Sequence, residues 1–386
     1  MNFKFYIPTK VFFGSGCLEE LATTKLPGKK ALIVICGESV KKYGYLDRVC
    51  DLLSKNNTEF VVFDGVQPNP TKKNVEEGTA ICKNENCDMV LGLGGGSPID
   101  ASKAIAIMAT NDGDLWDYIE SGTGKGMEIK NKPLPIVTVN TTAGTGTECD
   151  PWLVVTNEET SEKPGFGCDY TYPTISFVDC DLMLTLPKTY TAYQGFDALF
   201  HAAEGYIASV ANPISEMYSL KSIELIGQNL TSAVKDGTNI VARENMALAS
   251  AISGLVESTS CCTSEHAIAH SLGAFQHNMP HGAGLIMISV QYFKVFAKVC
   301  PERLVSMAKA LGVVNATKPE DFIVALEKLI VDCGVDKLKM SDFGFAKTDL
   351  KPIAENAMFV MSGNYALDRK QLSLQDTISI LENSFK

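Results

Sequence analysis

All five histidines of the chain lie between His201 and His281, four of them from His266 onward. Asp197 precedes His201 by four positions, and His266 precedes His270 by four. Positions i and i+4 share one face of a helix, so the members of each pair can converge on one point. Imidazoles together with one carboxylate suit a divalent transition metal, with iron and zinc as the leading candidates. One such pair arises often by chance, but two pairs with no histidine outside residues 201–281 predict a metal site.

The first half of the chain alternates short apolar runs with amphipathic stretches such as Thr71–Asn84. This rhythm predicts βαβ units, and therefore a parallel sheet with helices on both faces. The runs predicted as strands are Ala31–Ile35, Glu59–Phe63, Asp88–Leu93, Leu134–Val139, Trp152–Thr156 and Thr174–Val178.

After Pro187 glycine becomes rarer, and long segments with apolar residues at helical spacing follow. The predicted helices are Ala198–Ser209, Pro213–Thr231, Arg243–Ser258, Pro301–Leu311, Pro319–Val331 and Leu372–Glu382. The sequence therefore predicts two domains, an α/β dinucleotide-binding domain at residues 1–184 and an all-helical metal-binding domain at residues 185–386.

A glycine triplet, Gly94–Gly96, follows the buried run Asp88–Leu93 directly. Ser97 is predicted to cap a helix that has Pro98 in its first turn. Glycines let a backbone approach a pyrophosphate closely, and a helix N-terminus offers it free N–H groups. A glycine triplet alone is equally typical of a tight turn, but the strand before it and the helix after it favour a phosphate site.

A second polar loop, Thr141–Glu148, follows the next predicted strand and contains Thr141, Thr142 and Thr145. Small hydroxylated residues and glycines at the carboxyl ends of strands commonly line a ligand crevice in open α/β sheets. Alone the loop could be an ordinary turn. Two such loops at successive strand ends favour one bound nucleotide.

Composition limits the classes of partner. The 386 residues carry a formal net charge of −11, which argues against nucleic acid and anionic membrane as partners. The start of the chain, residues 1–16, alternates aromatic and polar residues, which predicts a strand or hairpin rather than an export signal. The twelve cysteines show no C-x-x-C spacing, so we expect free thiols and a cytoplasmic location.

With these residues in hand, the chain strongly resembles the iron-dependent (type III) alcohol dehydrogenase family over essentially its whole length. The motifs that carry the resemblance are Gly65–Pro70, Gly94–Pro98 with Asp100 and Lys103, Thr141–Glu148, Gly195–Glu204, His266–Gly273 and Pro280–Gly282. The resemblance implies the fold of that family and of dehydroquinate synthase: an N-terminal α/β dinucleotide-binding domain with a parallel sheet, an all-α C-terminal domain, and a cleft between them for cofactor, metal and substrate.

The resemblance also implies roles for individual residues. It makes Asp197, His201, His266 and His281 the metal ligands, and His270 a non-ligand histidine that could relay a proton near the substrate. His277 matches no functional position of the family and is expected to be a loop histidine. His281 follows His270 by eleven positions, one more than the common pattern, so we expect a bulge around Gln276–Met279.

The implied reaction is hydride transfer between NAD(P)(H) and a small primary alcohol or aldehyde (EC 1.1.1.-), with the metal polarising the substrate oxygen. The ligand set is typical of the iron members, so Fe(II) is expected in the cell, while zinc would accept the same ligands. The residues expected to bind the cofactor are Cys36, Gly37, Ser39, Asn69, Gly94, Gly95, Gly96, Ser97, Asp100, Thr141, Thr142 and Thr145.

The loop after the first long strand, Cys36–Val40, bears on the choice of nucleotide. An acid there would bond a ribose 2′-OH and repel a 2′-phosphate. Members preferring NAD often carry Asp where this chain has Cys36, and Ser39 is suited to a 2′-phosphate. Glu38 would argue for NAD only if it points inward. We therefore expect NADP(H) to be favoured over NAD(H).

Three alternatives remain open from the sequence. One is a sister enzyme of the same fold, either a zinc polyol dehydrogenase of the glycerol type or a cyclising lyase resembling dehydroquinate synthase, although a fourth ligand at His201 argues against both. Another is a metal-dependent hydrolase, which would leave both nucleotide loops without a purpose. The last is a protein that binds metal or nucleotide without catalysis. We also expect a homo-oligomer, a homodimer paired through the edge of Phe3–Phe13.

Overall fold

The computed structural model describes residues 2–386. Within this range the strands are β1 (Lys10–Phe13), β2 (Lys30–Cys36), β3 (Glu59–Val66), β4 (Met89–Gly94), β5 (Ile136–Asn140), β6 (Leu153–Val154), β7 (Gly165–Phe166) and β8 (Ile175–Val178). The helices are α1 (Ser39–Lys42), α2 (Tyr45–Lys55), α3 (Lys72–Asn84), α4 (Gly96–Thr110), α5 (Leu115–Tyr118), α6 (Lys188–Ile207), α7 (Pro213–Lys235), α8 (Ile240–Thr259), α9 (Ser264–Phe275), α10 (His281–Phe296), α11 (Pro301–Ala310), α12 (Glu320–Asp332), α13 (Leu350–Val360), α14 (Ser362–Ala366) and α15 (Leu374–Ser384). Four short 3-10 turns lie at Cys17–Ala22, Cys180–Met183, Met340–Phe343 and Lys347–Asp349.

Six strands form one parallel sheet in the order β1-β8-β5-β4-β2-β3. Alternate side chains of β2 enter two separate apolar layers: Ala31, Ile33 and Ile35 in one, and Leu32 and Val34 in the other. A sheet that is buried on both faces needs helices on both sides, as the alternation of strands and helices predicts. The predicted fold class is confirmed.

Two predicted strands differ from the structure. Residues 2–9 form no strand, and only β1 pairs, in parallel with β8, so of the predicted strand or hairpin the structure has a strand and no hairpin. Of Trp152–Thr156, only β6 is a strand, and it pairs with β7 outside the main sheet. Around β6 the backbone forms hydrogen bonds with side chains. The carbonyl of Trp152 accepts from Lys103, and the N–H of Val154 donates to Asp100.

The chain divides into two compact units. The α/β unit comprises Ile7–Thr142 and Thr147–Thr185, and contains the parallel sheet. The helical unit comprises Leu186–Lys386 together with residues 2–6 and the short segment Ala143–Gly146. In residues 2–386, no helix has both the length and the apolar character needed to cross a membrane.

Candidate metal centre and nucleotide loops

Helix α6 is the central element of the histidine cluster. It is buried continuously from Gly195 to Ile207, as expected of a helix packed on all sides. Asp197 and His201 are one turn apart on it, and both are at least nine-tenths buried. The predicted i and i+4 pair therefore presents a carboxylate and an imidazole to the same point in the helical unit.

Two further helices complete the cluster. His266 and His270 lie on α9, and His281 is the first residue of α10. The ring centroids of His266 and His281 are 5.3 Å apart, and the His270 ring lies 5.1 Å from that of His281. The loop between the two helices, residues 276–280, is where the sequence predicts a bulge, and it holds His277 half-buried.

One oxygen atom lies at the focus of this cluster. Oδ1 of Asp197 is 3.4 Å from Nε2 of His281, 3.5 Å from Nε2 of His266 and 3.9 Å from Nε2 of His201. Neither this oxygen nor Nε2 of His266 has a hydrogen-bond partner, although both are buried. Uncompensated buried polar atoms are costly, so the arrangement requires something else to satisfy them.

A divalent metal fits these donors. Bonds of about 2.0–2.2 Å in a tetrahedral site place neighbouring ligand atoms about 3.3–3.6 Å apart. The separations of Asp197 from His266 and His281 fall in that range, and that of His201 is slightly larger. The donor set is the nitrogen and oxygen mixture that iron and zinc accept. The thiol of Cys262 also lies within 4.8 Å of donor atoms of His201 and His266.

The pKa shifts of His201 and Asp197 favour the forms of these two side chains that bind a metal. Burial lowers the pKa of His201 to about 4, against the opposing effect of Asp197, so this imidazole is neutral at physiological pH. Burial alone would raise the pKa of Asp197, but the imidazoles of His201, His266 and His270 bring it below its usual value. A neutral imidazole and an ionised carboxylate are the forms that bind a metal.

The α/β unit gathers the predicted nucleotide residues at the carboxyl edge of its sheet. Gly94 ends β4, and its carbonyl accepts from the N–H of Thr141 (2.9 Å), which follows β5. Asn69, which follows β3, donates its N–H to Oγ of Ser97 (3.3 Å). A Cβ added to Gly95 would lie 2.7 Å from a methyl carbon of Thr142, so only glycine allows these loops to approach so closely.

The start of α4 differs from the prediction in one respect. Gly95, not Ser97, is the N-cap, and no side chain caps the helix. Ser97 is the second residue of the helix, and its hydroxyl accepts from Asn69 instead. Pro98 lies in the first turn as predicted. The first N–H groups of α4 therefore have no side-chain cap, which is the arrangement that binds phosphate at a helix N-terminus.

A buried lysine that had no predicted role organises the second loop. Lys103 is fully buried on α4, and its ammonium donates to the carbonyls of Thr147 (2.8 Å), Asp150 (2.9 Å) and Trp152 (2.6 Å). It also contacts Oγ1 of Thr147 and Oδ1 of Asp150. Oδ1 and Oδ2 of Asp100 accept from Oγ1 of Thr147 and from the N–H of Val154. The spacing of Asp100 and Lys103 on one helix face was the available signal.

The remaining predicted nucleotide residues occupy two places. Cys36 ends β2, Gly37 has a φ of +64°, and Ser39 is the first residue of α1. The Glu38 side chain is 82% exposed and bonds to Lys41, so it points to solvent. Thr145 lies in the segment that belongs to the helical unit.

The chain matches two family models. The model described as "Iron-containing alcohol dehydrogenase" matches residues 8–180, and the model described as "Fe-containing alcohol dehydrogenase family, C-terminal" matches residues 191–385. Among similar proteins, alcohol dehydrogenase 4 of Schizosaccharomyces pombe is 36% identical over 92% of this chain and 83% of its own. The 1,3-propanediol dehydrogenase of Klebsiella pneumoniae is 35% identical over 99% of both chains.

A solved structure shows the same similarity in three dimensions. The archaeal halo-thermophilic alcohol dehydrogenase from a Red Sea brine pool superposes with a TM-score of 0.96 and 32% identity. The match covers 100% of this chain and 99% of the archaeal one. The likeness therefore extends over both units of the fold and both groups of site residues.

Proposed function

Because the chain belongs to the iron-containing alcohol dehydrogenase family, we propose that it interconverts a small primary alcohol and its aldehyde, using Fe(II) and preferring NADP(H) over NAD(H). Metal-dependent alcohol dehydrogenase activity is the function of the family. The observation that carries the proposal is the buried Oδ1 of Asp197, which faces three imidazole nitrogens and has no hydrogen-bond partner.

In this proposal, Asp197, His201, His266 and His281 hold the metal. When bound, a divalent ion supplies Lewis acidity, which stabilises the negative charge that develops on an alcohol oxygen as hydride leaves its carbon. Fe(II) is proposed because the family is iron-containing, and zinc is the ion that would replace it most readily.

His270 is proposed as the proton relay. It is buried on α9, with its ring 5.1 Å from that of the proposed ligand His281. A histidine exchanges protons readily near neutral pH, so His270 can accept the hydroxyl proton during oxidation and return it during reduction. A half-buried loop histidine, His277, has no role in this step.

The α/β unit is proposed to bind the dinucleotide. The first N–H groups of α4, at Gly96 and Ser97, face the pyrophosphate, with Gly94 and Gly95 allowing its close approach. Asn69, Asp100, Thr141 and Thr142 of the same unit are proposed to complete its contacts, and Thr145 is the proposed contact that lies in the helical unit. The nicotinamide carries the hydride, and the protein supplies its position.

The preference for NADP(H) rests on the loop after β2. A neutral Cys36 ends that strand, Ser39 offers a hydroxyl, and the one nearby acid of the loop, Glu38, is turned to solvent. A carboxylate at the strand end would have repelled a 2′-phosphate, and none stands there.

The substrate, assembly and location are proposals as well. A small alcohol of propanediol or butanol size is suggested by the similarity to 1,3-propanediol dehydrogenase. Twelve free thiols in the described residues are in keeping with the reduced cytoplasm. The exposed aromatic rings of Phe3 and Phe5 and the edge strand β1 are in keeping with a homodimer.

Deuterium transfer tests the reaction. The Fe(II)-reconstituted protein is given butyraldehyde and NADPH labelled with deuterium on either face of nicotinamide C4, and the alcohol is analysed by mass spectrometry. We expect one label to appear at C1 of butanol and the other to remain on the cofactor. Conversion of substrate with neither label transferred would point to a lyase or hydrolase instead.

A further inference from the structure

A second carboxylate lies behind the histidine cluster. Glu204 is on α6, three residues after His201, and its side chain is completely buried. One oxygen, Oε1, contacts Nδ1 of His266. The other, Oε2, accepts from the N–H (2.9 Å) and the hydroxyl (3.0 Å) of Thr263 and from the N–H of His266 (3.2 Å). Both oxygens thus have a partner, and Oε2 accepts all three of its hydrogen bonds.

These contacts determine which nitrogen of His266 carries the proton. Because an ionised carboxylate can only accept a hydrogen bond, Nδ1 of His266 is the donor in its contact with Oε1 of Glu204 and carries a proton. Nε2 lies 3.5 Å from Oδ1 of Asp197 and has no hydrogen-bond partner, so its lone pair is left for a metal. We propose that Glu204 is a positioning residue that fixes the orientation and tautomer of His266 for metal binding.

The carboxylate is itself held in place. The hydroxyl of Thr263 lies 2.8 Å from that of Tyr292, a fully buried residue on α10. The Tyr292 hydroxyl and the N–H of Ser264 both donate to Oδ1 of Asp368 (3.3 and 3.2 Å). Asp197, His201 and Glu204 occupy positions i, i+4 and i+7 of α6, so one face of one helix supplies two proposed ligands and the carboxylate that orients a third.

Glu265 is a natural matched control. It precedes His266 on α9, and it is as completely buried as Glu204. Neither of its carboxyl oxygens makes a hydrogen bond. A change of Glu265 to glutamine therefore alters a carboxyl group of the same type and burial without touching the contact to the imidazole.

Metal affinity distinguishes positioning from a general structural role. This inference rests on the proposed metal site. Zn(II) affinity is therefore measured by chelator competition for three metal-stripped proteins: the wild type, Glu204→Gln and Glu265→Gln. Residues that hydrogen-bond to a ligating histidine typically contribute roughly 10- to 100-fold to metal affinity. We expect a loss of that size for Glu204→Gln, and a change within roughly threefold for Glu265→Gln.

The outcomes separate the two proposals. Near-wild-type affinity in a folded Glu204→Gln protein, or an equal loss in Glu265→Gln, overturns the role of Glu204 and leaves the metal site standing. A wild-type protein that binds no Zn(II) overturns the metal site and this inference together.

A measurement on the unsubstituted protein covers the case in which Glu204→Gln does not fold. Histidine-selective nitrogen-15 labelling of the Zn(II)-reconstituted wild type shows which ring nitrogens carry protons, and His266→Gln identifies the His266 signals. We expect a proton on Nδ1 of His266. A His266 ring whose Nδ1 carries no proton contradicts the proposal.

Discussion

Among single residues, Asp197 has one neighbour in the cluster that its sequence spacing predicts and others that it does not. Its spacing from His201 predicts a converging pair, and the structure brings the two together on α6. Spacing equally pairs His266 with His270, yet in the structure His266 and His281 are the residues grouped with Asp197. The path of the loop at 276–280 places His281 beside Asp197, and the periodicity of the sequence does not predict that path.

Glu204 and Lys103 were visible in the sequence but carried no predicted role. Both are charged residues in buried stretches of their helices, a pattern that signals a buried partner without identifying it. Their partners come from loops distant in sequence, around Thr263 and Thr147. Such long-range pairings depend on tertiary structure.

Replacing His266 by alanine should remove metal and turnover together. The substitution deletes an imidazole whose Nε2 lies 3.5 Å from Oδ1 of Asp197. We expect a loss of bound metal and of kcat by roughly a hundredfold or more. His277→Ala is the control, since that loop residue has no proposed role. Metal content by mass spectrometry and kcat are measured, and unchanged values for His266→Ala would rule out the proposed ligand.

Replacing Cys36 by aspartate should favour NAD(H). A new carboxylate at the end of β2 repels a 2′-phosphate and can bond a ribose 2′-OH. We expect the ratio of kcat/KM for NADPH to that for NADH to fall roughly tenfold or more, which is about 1.4 kcal/mol. Cys36→Ser is the neutral control. A constant ratio would show that this loop does not determine the choice.

Among the elements, α6 and α10 were the hardest to predict. The helix predicted from Ala198 begins ten residues earlier, at Lys188. Its helical period is weak because it is buried on all sides from Gly195 to Ile207. The same holds for α10, which no predicted helix covers and whose residues Gly282–Ile286 are all buried. In contrast, the amphipathic helix predicted at Thr71–Asn84 is observed as α3 with Thr71 as its N-cap.

The strands of the α/β unit follow from local sequence because their apolar runs are bounded by turn residues. β2, β3, β4, β5 and β8 each lie within two residues of their predicted starts. The order of the strands and the position of β1 at the edge arise from long-range packing. The short β6 is an exception, since Lys103 and Asp100 occupy its neighbouring backbone groups.

Replacing Lys103 by methionine should destabilise the α/β unit strongly. It would leave three carbonyls, a hydroxyl and the Asp150 carboxylate without their buried cation. Breaking a buried charge pair costs about 3–5 kcal/mol. Lys73→Met, at a largely exposed position, should change stability by less than about 0.5 kcal/mol. Urea unfolding measures both, and equal stability of the two variants would contradict the role given to Lys103.

For the whole molecule, amino-acid composition excluded classes of partner but did not identify the reaction. The acidic balance argued against nucleic acid as a partner, and twelve scattered cysteines predicted free thiols, which the structure contains. The assignment of chemistry came from motifs spread over both units, from the loop at Gly94 to His281. The whole-chain similarity to alcohol dehydrogenases agrees with that distribution.

Metal binding should stabilise the folded protein as a whole. A ligand at a hundred times its dissociation constant stabilises the state that binds it by about 2.7 kcal/mol. We expect Zn(II) or Fe(II) to raise the Tm of metal-stripped protein by roughly 5–10 °C. The same additions should leave His266→Ala unchanged. A Tm that rises equally in both proteins would place the stabilising metal somewhere other than the histidine cluster.

Metal-dependent alcohol dehydrogenase activity is tested most directly by anaerobic oxidation of NADPH with butyraldehyde as substrate. The metal-stripped protein is assayed empty and after reconstitution with Fe(II) or with Zn(II). We expect no turnover by the empty protein and restored turnover with metal, with Fe(II) the more active ion. Absence of turnover with NADPH and with NADH under every reconstitution, in a protein that binds metal tightly, would contradict the assignment as a metal-dependent alcohol dehydrogenase.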